Sequence, residues 1–447
     1  MARACHPGHP CKISGVALRY LTIDFNSFFA SVEQQERPEL RDKPLGIVPV
    51  LAETTGCIAV SLEAKRMGLT RNARVADARR LCPGIVIVEA RPETYIAYHR
   101  KLKAIIESCL PVWKTQSIDE VTCRLTPRFA PPAQAEAVAK RIKAAIAREV
   151  GPCLRSSIGI APTWLLAKVA SDLQKPDGLV ILDEPDIPAK LLHLGIEDIS
   201  GIGPNMGRRL REHGIDTVAK LYAAGLAEFR GLWRGVVGER MWRLLHCEDL
   251  PFPEEESRQL GHGHVLPPKR RNHPAALAVL HRLLQKAAMR LRHSGRYAGA
   301  LGVAVDYTDD TRWSEEARLT ETQDTLVLTH ALNQLWAKRP EKFSRRTPLR
   351  IGVQLSRLID LRMHTPDLFG HEAEQTREGL FKAVDHLNQI LGKNTVYFGG
   401  AHGATRDAPM RIAFTRIPEP EIEEIDRSKN RRLKEPKKPA APEPEAW

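Results

Sequence analysis

LTIDFNSFFASVE, residues Leu21 to Glu33, decides how the rest of the chain is read. The apolar run from Val16 through Ile23 has the composition of a buried strand, and it delivers one carboxylate, Asp24, at its end. Asn26 and Ser27 follow, with side chains suited to capping a helix start. Strand, acid and helix N-terminus therefore meet at one point. The free N–H groups of a helix start attract phosphate, and a carboxylate beside them repels it unless a divalent cation lies between. That combination points to metal-bridged phosphate chemistry.

A second pair of acids, Asp119 and Glu120, stands far along the chain in QSIDEV, Gln116 to Val121. Neighbours on a regular strand point to opposite faces, so both reach one metal only from a strand end, a turn or a bulge. An acid at a strand end is ordinarily a solvated cap, and the spacing alone decides nothing.

The pattern Asp-Phe-Asn-Ser-Phe-Phe-Ala-Ser-Val-Glu at 24–33, followed by Ser-Ile-Asp-Glu at 117–120, resembles the two catalytic signatures of Y-family DNA polymerases, which copy damaged templates. Glu63 to Leu69, Gly159-Ile160-Ala161, Leu166 to Ala170, Lys175-Pro176-Asp177-Gly178 and Gly201-Ile202-Gly203 match further stretches in order. The resemblance implies a multidomain α+β right-hand polymerase, of the bacterial polymerase IV or polymerase V catalytic-subunit type. Its expected parts are a leader (1–15), a palm (16–27 and 91–182), fingers (28–90), a helix-hairpin-helix thumb (183–250), a little finger (257–361) and a C-terminal extension (362–447).

The resemblance also assigns roles. Asp24, Asp119 and Glu120 become the catalytic metal ligands, with the Phe25 backbone carbonyl completing the second site. Two Mg2+ ions are the expected cofactors, Mn2+ being able to substitute. Phe29 matches a steric gate against the ribose 2′-OH, and Phe28, Lys65 and Lys175 match triphosphate contacts. Adjacent rings on a helix cannot share a face, so one of Phe28 and Phe29 can pack inward while the other borders the site; without the resemblance both read as core rings. Leu62 stands where many members have Tyr, and Lys65 where they have Arg, giving a point charge in place of a bidentate fork.

Composition agrees with this picture. The 447 residues exceed what one core usually holds, and the net charge of +13 suits a polyanionic partner. No run is apolar enough to span a bilayer and no signal-peptide core is present, so a cytoplasmic protein without a membrane partner is expected, and the resemblance implies a bacterial, nucleoid-associated one. Eight cysteines without a CxxC pair read as reduced thiols. Cys5, His6, His9 and Cys11 are too close, across two prolines, to surround one tetrahedral ion, so the leader reads as disordered.

Further along, Ile199 to Pro204 followed by Arg208 and Arg209 resembles a helix-hairpin-helix turn, with Gly201, Gly203 and both arginines on the DNA backbone. A Pro- and Glu-containing linker, Pro251 to Glu256, leads to a basic helix-and-sheet module. His364 to Phe369 resembles the peptides that dock on a sliding clamp, with Leu368 and Phe369 as anchors. Asn394 to Gly400 and the stretch near Phe414 are similar to the polymerase V C-terminal region, and Arg427 to Trp447 reads as disordered. The implied partners are primer–template DNA, deoxynucleoside triphosphates and the clamp, for a monomer open to accessory subunits. Two other classes compete: a non-catalytic DNA-binding accessory protein of the same family, and a metal-dependent nuclease.

Overall fold

The computed structural model describes residues 17–253, 258–365, 371–407, 412 and 417–418. Contacts divide the chain into two units, the first built mainly from 17–48 and 56–253, the second mainly from 258 onward.

The first unit opens with β1 (Tyr20–Phe25), α1 (Phe28–Glu36), β2 (Leu45–Val48), β3 (Ala59–Val60), α2 (Leu62–Arg66), α3 (Val75–Leu81) and β4 (Val86–Glu89). It continues with α4 (Pro92–Cys109), β5 (Val112–Thr115), β6 (Glu120–Arg124), α5 (Pro132–Glu149), β7 (Ser156–Ala161), α6 (Trp164–Leu173) and β8 (Leu179–Ile181). Five strands form a sheet in the order β5-β6-β1-β7-β8, with β1 antiparallel to both neighbours. A central strand is covered on both faces, which is why β1 is a nearly continuous apolar run. Leu21, Ile23 and Phe25 point one way, Tyr20, Thr22 and Asp24 the other. Thr22 meets its cross-strand partner Thr122 at 2.9 Å, so the polar pair in the buried sheet is satisfied.

β2, β3 and β4 make a separate three-stranded sheet, order β3-β2-β4, over a small core that includes Val60, Ala64, Leu69 and Val75. α1 ends at Glu36 because Pro38 has no N–H to continue the ladder and disfavours helical backbone before it. Four helices follow the five-stranded sheet: α7 (Pro204–Glu212), α8 (Val218–Ala223), α9 (Leu226–Trp233) and α10 (Val236–Leu245). Their Leu210, Leu221, Phe229 and Leu244 share one core with Leu166 and Val169 of α6, so this segment is fused to the sheet rather than hung from it.

In the second unit β9 (Gln259–Val265), α11 (His273–His293), β10 (Arg296–Tyr307), β11 (Arg312–Thr322), α12 (Thr325–Ala337) and β12 (Pro348–Asp360) give an antiparallel sheet in the order β11-β10-β12-β9. α11 and α12 close its core through Leu280, Leu284, Leu332, Val303 and Leu355. A groove of about 720 Å3 runs over the strands, lined by Ser314, Glu316, Arg350 and Gln354 among others. α13 (His371–Leu391) lies in the stretch treated above only as an extension. It is fastened by a bidentate Arg292–Asp385 pair at 2.7 and 2.9 Å.

The architecture is α+β and multidomain, in line with the sequence. Among the described residues the cysteines are all unpaired, and no helix is long and apolar enough to cross a membrane. The leader, Leu368 and Phe369, and the basic end from Arg427 lie outside the described residues.

Candidate active site

Asp24 and Glu120 are direct cross-strand partners, the first near the end of β1 and the second at the first position of β6. Asp119 is the last residue of the bend that precedes β6, the irregular backbone two adjacent acids need in order to serve one site. The bend is pinned from three sides. Ser117 Oγ donates to Asp119 Oδ1 at 2.5 Å and accepts from its N–H at 3.3 Å. The Phe25 N–H donates to the Asp119 carbonyl at 2.8 Å, and His99 of α4 bonds the Ile118 carbonyl through Nδ1 at 2.8 Å.

α6 brings the counter-charge. Thr163 caps its start, accepting from the Leu166 N–H, and its apolar face buries Leu165, Leu166, Val169 and Ala170. Close approach to the sheet depends on Gly159 of β7: a Cβ there would stand 2.1 Å from the Ala167 carbonyl oxygen. In that seat Lys168 places its ammonium 2.5 Å from Asp24 Oδ2, 3.0 Å from Glu120 Oε2 and 3.5 Å from Asp172 Oδ1. Lys175 adds a second ammonium, 2.8 Å from Asp24 Oδ2 and 2.7 Å from Asp172.

Burial pushes the Asp119 and Glu120 carboxyls above their ordinary range, and their mutual repulsion with Asp24 adds to it; for Glu120, Lys168 pulls back down. Burial works to lower the Lys168 pKa, but Asp24, Glu120 and Asp172 outweigh it and the ammonium is held above its usual value.

The donor set fits a hard divalent cation. It is all oxygen, from three carboxylates that repel one another, and it already gathers two ammonium groups. Among the described residues no three such side chains stand in a finished coordination cage. The Lys168 ammonium lies within 3.0 Å of both Asp24 and Glu120.

The other predicted residues divide. Lys65 lies at the surface with its ammonium partly screened from water, and that burial first and Lys175 next lower its pKa, while Asp24 and Asp119 act oppositely. Lys175 is placed at the acid cluster by contact. Phe28 and Phe29 are both buried, at 2% and 3% exposed, as core rings are, because α1 is covered by β2 and β3 as well as by α4. The Phe28 ring sits between those of Phe25 and Phe29 at 6.0 and 5.8 Å, so it is a core ring and only its backbone is left to meet a triphosphate. Ser27 does take the N-cap position, but at φ 49° and without a side-chain cap bond. The Asn26 side chain bonds instead to Ser157 Oγ at 3.0 Å and the Asp177 N–H at 2.8 Å, so the capping expectation fails at both residues.

At the hairpin, Gly201 has φ +89°, and Gly203 is the N-cap of α7 with no atom near its missing Cβ. Arg208 extends outward, its nearest acid Glu212 at 3.9 Å. Arg209 does not: its Nη1 donates to the Leu232 carbonyl at 2.8 Å, joining α7 to α9.

Sequence reasoning missed Lys168, Ser117 and Asn26 as working residues. The signal for Lys168 was its spacing to Asp172, a lysine and an acid on one helix face just after a strand. Ser117 and Asn26 stood inside the two signatures without an assigned task.

Asp24 of the central strand, Glu120 of its neighbour and Asp119 in the bend beside them thus lie next to a helix start, with Lys168 and Lys175 paired to the acids. Residues 23–172 match the impB/mucB/samB family model and 257–368 match the impB/mucB/samB family C-terminal domain. DNA polymerase IV of Moorella thermoacetica is 32% identical over 391 residues, covering 84% of this chain and 94% of the relative. DNA polymerase IV of Pelotomaculum thermopropionicum is 31% identical, covering 84% and 93%. Among solved structures, a Y-family DNA polymerase chimera overlays with a TM-score of 0.63 at 23% identity, over 76% of this chain and 99% of the chimera, a likeness of fold. The chain belongs to the Y-family DNA polymerases, of the polymerase IV type. Its activity is template-directed, translesion DNA synthesis, the work of a metal-dependent nucleotidyltransferase.

Proposed function

We propose that Asp24, Asp119 and Glu120 are the residues that carry this synthesis, holding two Mg2+ ions together with the Phe25 carbonyl. The observation that supports it is the cross-strand pairing of Asp24 with Glu120, with Asp119 fixed beside them by Ser117 and Phe25. Ions bound there would lower the pKa of the primer 3′-OH and offset the charge of the triphosphate. The chain's own part is orientation. The bend at 117–119 would keep the three carboxylates on one side of the sheet, and Lys65, Lys168 and Lys175 would supply positive charge to phosphate oxygens. Mn2+ should substitute, the ligands being hard oxygens.

In this reading the five-stranded sheet with α4, α5 and α6 is the palm, the three-stranded sheet belongs to the fingers, α7 to α10 form the thumb and the second unit is the little finger. Gly201, Gly203 and Arg208 would meet the DNA backbone without reading bases. Leu368 and Phe369 would dock on the sliding clamp, and the enzyme would act as a monomer at the nucleoid in the bacterial cytoplasm. Primer extension on a template with magnesium, set against degradation of the same labelled strand, tests the assignment. Extension without degradation supports a polymerase; strand loss would point to a nuclease and neither outcome to an accessory protein.

Phe29 is the proposed sugar gate, held flat against Tyr95 at a ring separation of 4.5 Å. Removing a ring from a close-fitting wall admits the larger sugar, so Phe29→Ala is expected to lower deoxyribose discrimination roughly a hundredfold. Single-nucleotide incorporation of matched deoxy- and ribonucleotides checks this; equal discrimination by variant and parent would remove Phe29 from the role.

A further inference from the structure

Glu33 closes the opening signature, stands apart from the acid cluster, and has a fully buried carboxylate. A carboxylate away from water persists only where enough donors converge on it. Arg91 grips both oxygens through Nε and Nη2 at 2.9 and 2.8 Å, the Tyr95 hydroxyl donates at 2.8 Å, and Arg37 adds a further contact. Phe29 and Glu33 lie one turn apart on α1; Arg91, the N-cap of α4, and Tyr95 lie one turn apart on the facing helix. The two pairs interlock. While its hydroxyl rests on Glu33, the Tyr95 ring stacks on Phe29 with 16° between the planes, and Tyr95 is 1% exposed. Burial, reinforced by the Glu33 charge, holds the phenol pKa above its usual value, so the proton it donates stays in place.

We propose that Glu33 is a positioning residue for sugar selection: it fixes Tyr95, which fixes the plane of the Phe29 ring at the incoming nucleotide. This rests on the reading of Phe29 as the gate. The carboxylate is specifically required. Four donors converge on two oxygens, and an amide of the same shape would turn its own N–H groups toward a guanidinium.

The test compares kcat and KM for a deoxynucleotide and its ribonucleotide in Phe29→Ala, Glu33→Gln, Tyr95→Phe and the Glu33→Gln/Phe29→Ala double variant. Glu33→Gln is expected to lower discrimination about tenfold, chiefly through a lower ribonucleotide KM, with the deoxynucleotide kcat near that of the parent. Tyr95→Phe, which keeps the stacked ring, should shift it in the same direction. In the Phe29→Ala background Glu33→Gln should add nothing. Parental discrimination in folded Glu33→Gln, or an equal loss with and without the Phe29 ring, overturns the proposal while leaving the gate in place. Parental discrimination in Phe29→Ala overturns the gate itself, and this proposal with it. Where circular dichroism shows that Glu33→Gln does not fold, Tyr95→Phe decides: unchanged discrimination overturns, reduced discrimination supports.

Discussion

Asp119→Ala is expected to abolish nucleotide addition while primer–template binding stays intact or tightens. The asymmetry follows from where the side chain stands. Its carboxylate is held by Ser117 within the bend and is repelled by Asp24, so it contributes negative charge to a site that must accept a triphosphate. Removing it relieves that repulsion and costs DNA binding nothing. It also removes one of the few oxygens able to hold both cations, and such ions supply several kcal/mol of charge stabilisation in the transition state. At ~1.4 kcal/mol per factor of ten, a loss of roughly a thousandfold or more in single-turnover rate is expected. Alanine leaves the fold largely undisturbed, because the bend is also secured through the Asp119 carbonyl and the Ile118 carbonyl. Rapid-quench incorporation beside fluorescence-anisotropy binding checks both halves. Extension by the variant at the parental rate would take Asp119 out of the metal site.

How much of this the sequence made legible depends on whether the information was local. The strand end at Asp24 and the bend at Asp119 were legible because each sits inside a short signature; the metal-ligand role of Asp24, Asp119 and Glu120 came from the resemblance and stands as the proposal above. The strand character of Val16 to Ile23 was equally local, and β1 is found at Tyr20–Phe25. Lys168 was not, since its reach to Asp24 depends on α6 folding back against β7 over Gly159, a contact no spacing rule contains. Arg209 looked identical to Arg208 in sequence; only the packing of α7 on α9 turns one inward. Phe28 and Phe29 were left open by the sequence for a related reason. Periodicity tells which rings share a face, and α1 has partners on more than one face. The helix at 371–391 went unread because its attachment comes from Arg292, far back in the chain.

Lys168→Met is expected to destabilise the metal-free enzyme more than any other single change at the site. Lys168, Asp24 and Glu120 are 17%, 14% and 15% exposed, so these charges are poorly solvated and need one another. Breaking a buried pair by deleting one partner costs ~3–5 kcal/mol, which for a unit of this size lowers the melting temperature on the order of 10 °C. Asp24 keeps Lys175 at 2.8 Å, so the larger share of the cost falls on Glu120. The effect has a sign in pH. Asp119 and Glu120 already titrate above the ordinary carboxylate range because they are buried, and Lys168 is what restrains Glu120 most. Without the lysine the folded-state pKa values rise further, so the folded chain holds protons the unfolded chain has released. Stability relative to the parent is then lost as pH rises from the ordinary carboxylate pKa through the raised one. Below that window the acids are protonated in both states and the deficit closes. Magnesium provides the second axis. A cation that binds only the folded site stabilises it by mass action, and in the variant it meets carboxylates with no ammonium to displace. Melting curves of parent and variant in chelator and in magnesium, across the acid range, should therefore show a large gap in chelator at neutral pH that narrows with either added magnesium or added acid. Coincident melting in chelator at neutral pH would mean that Lys168 is not the internal counter-ion of the three acids.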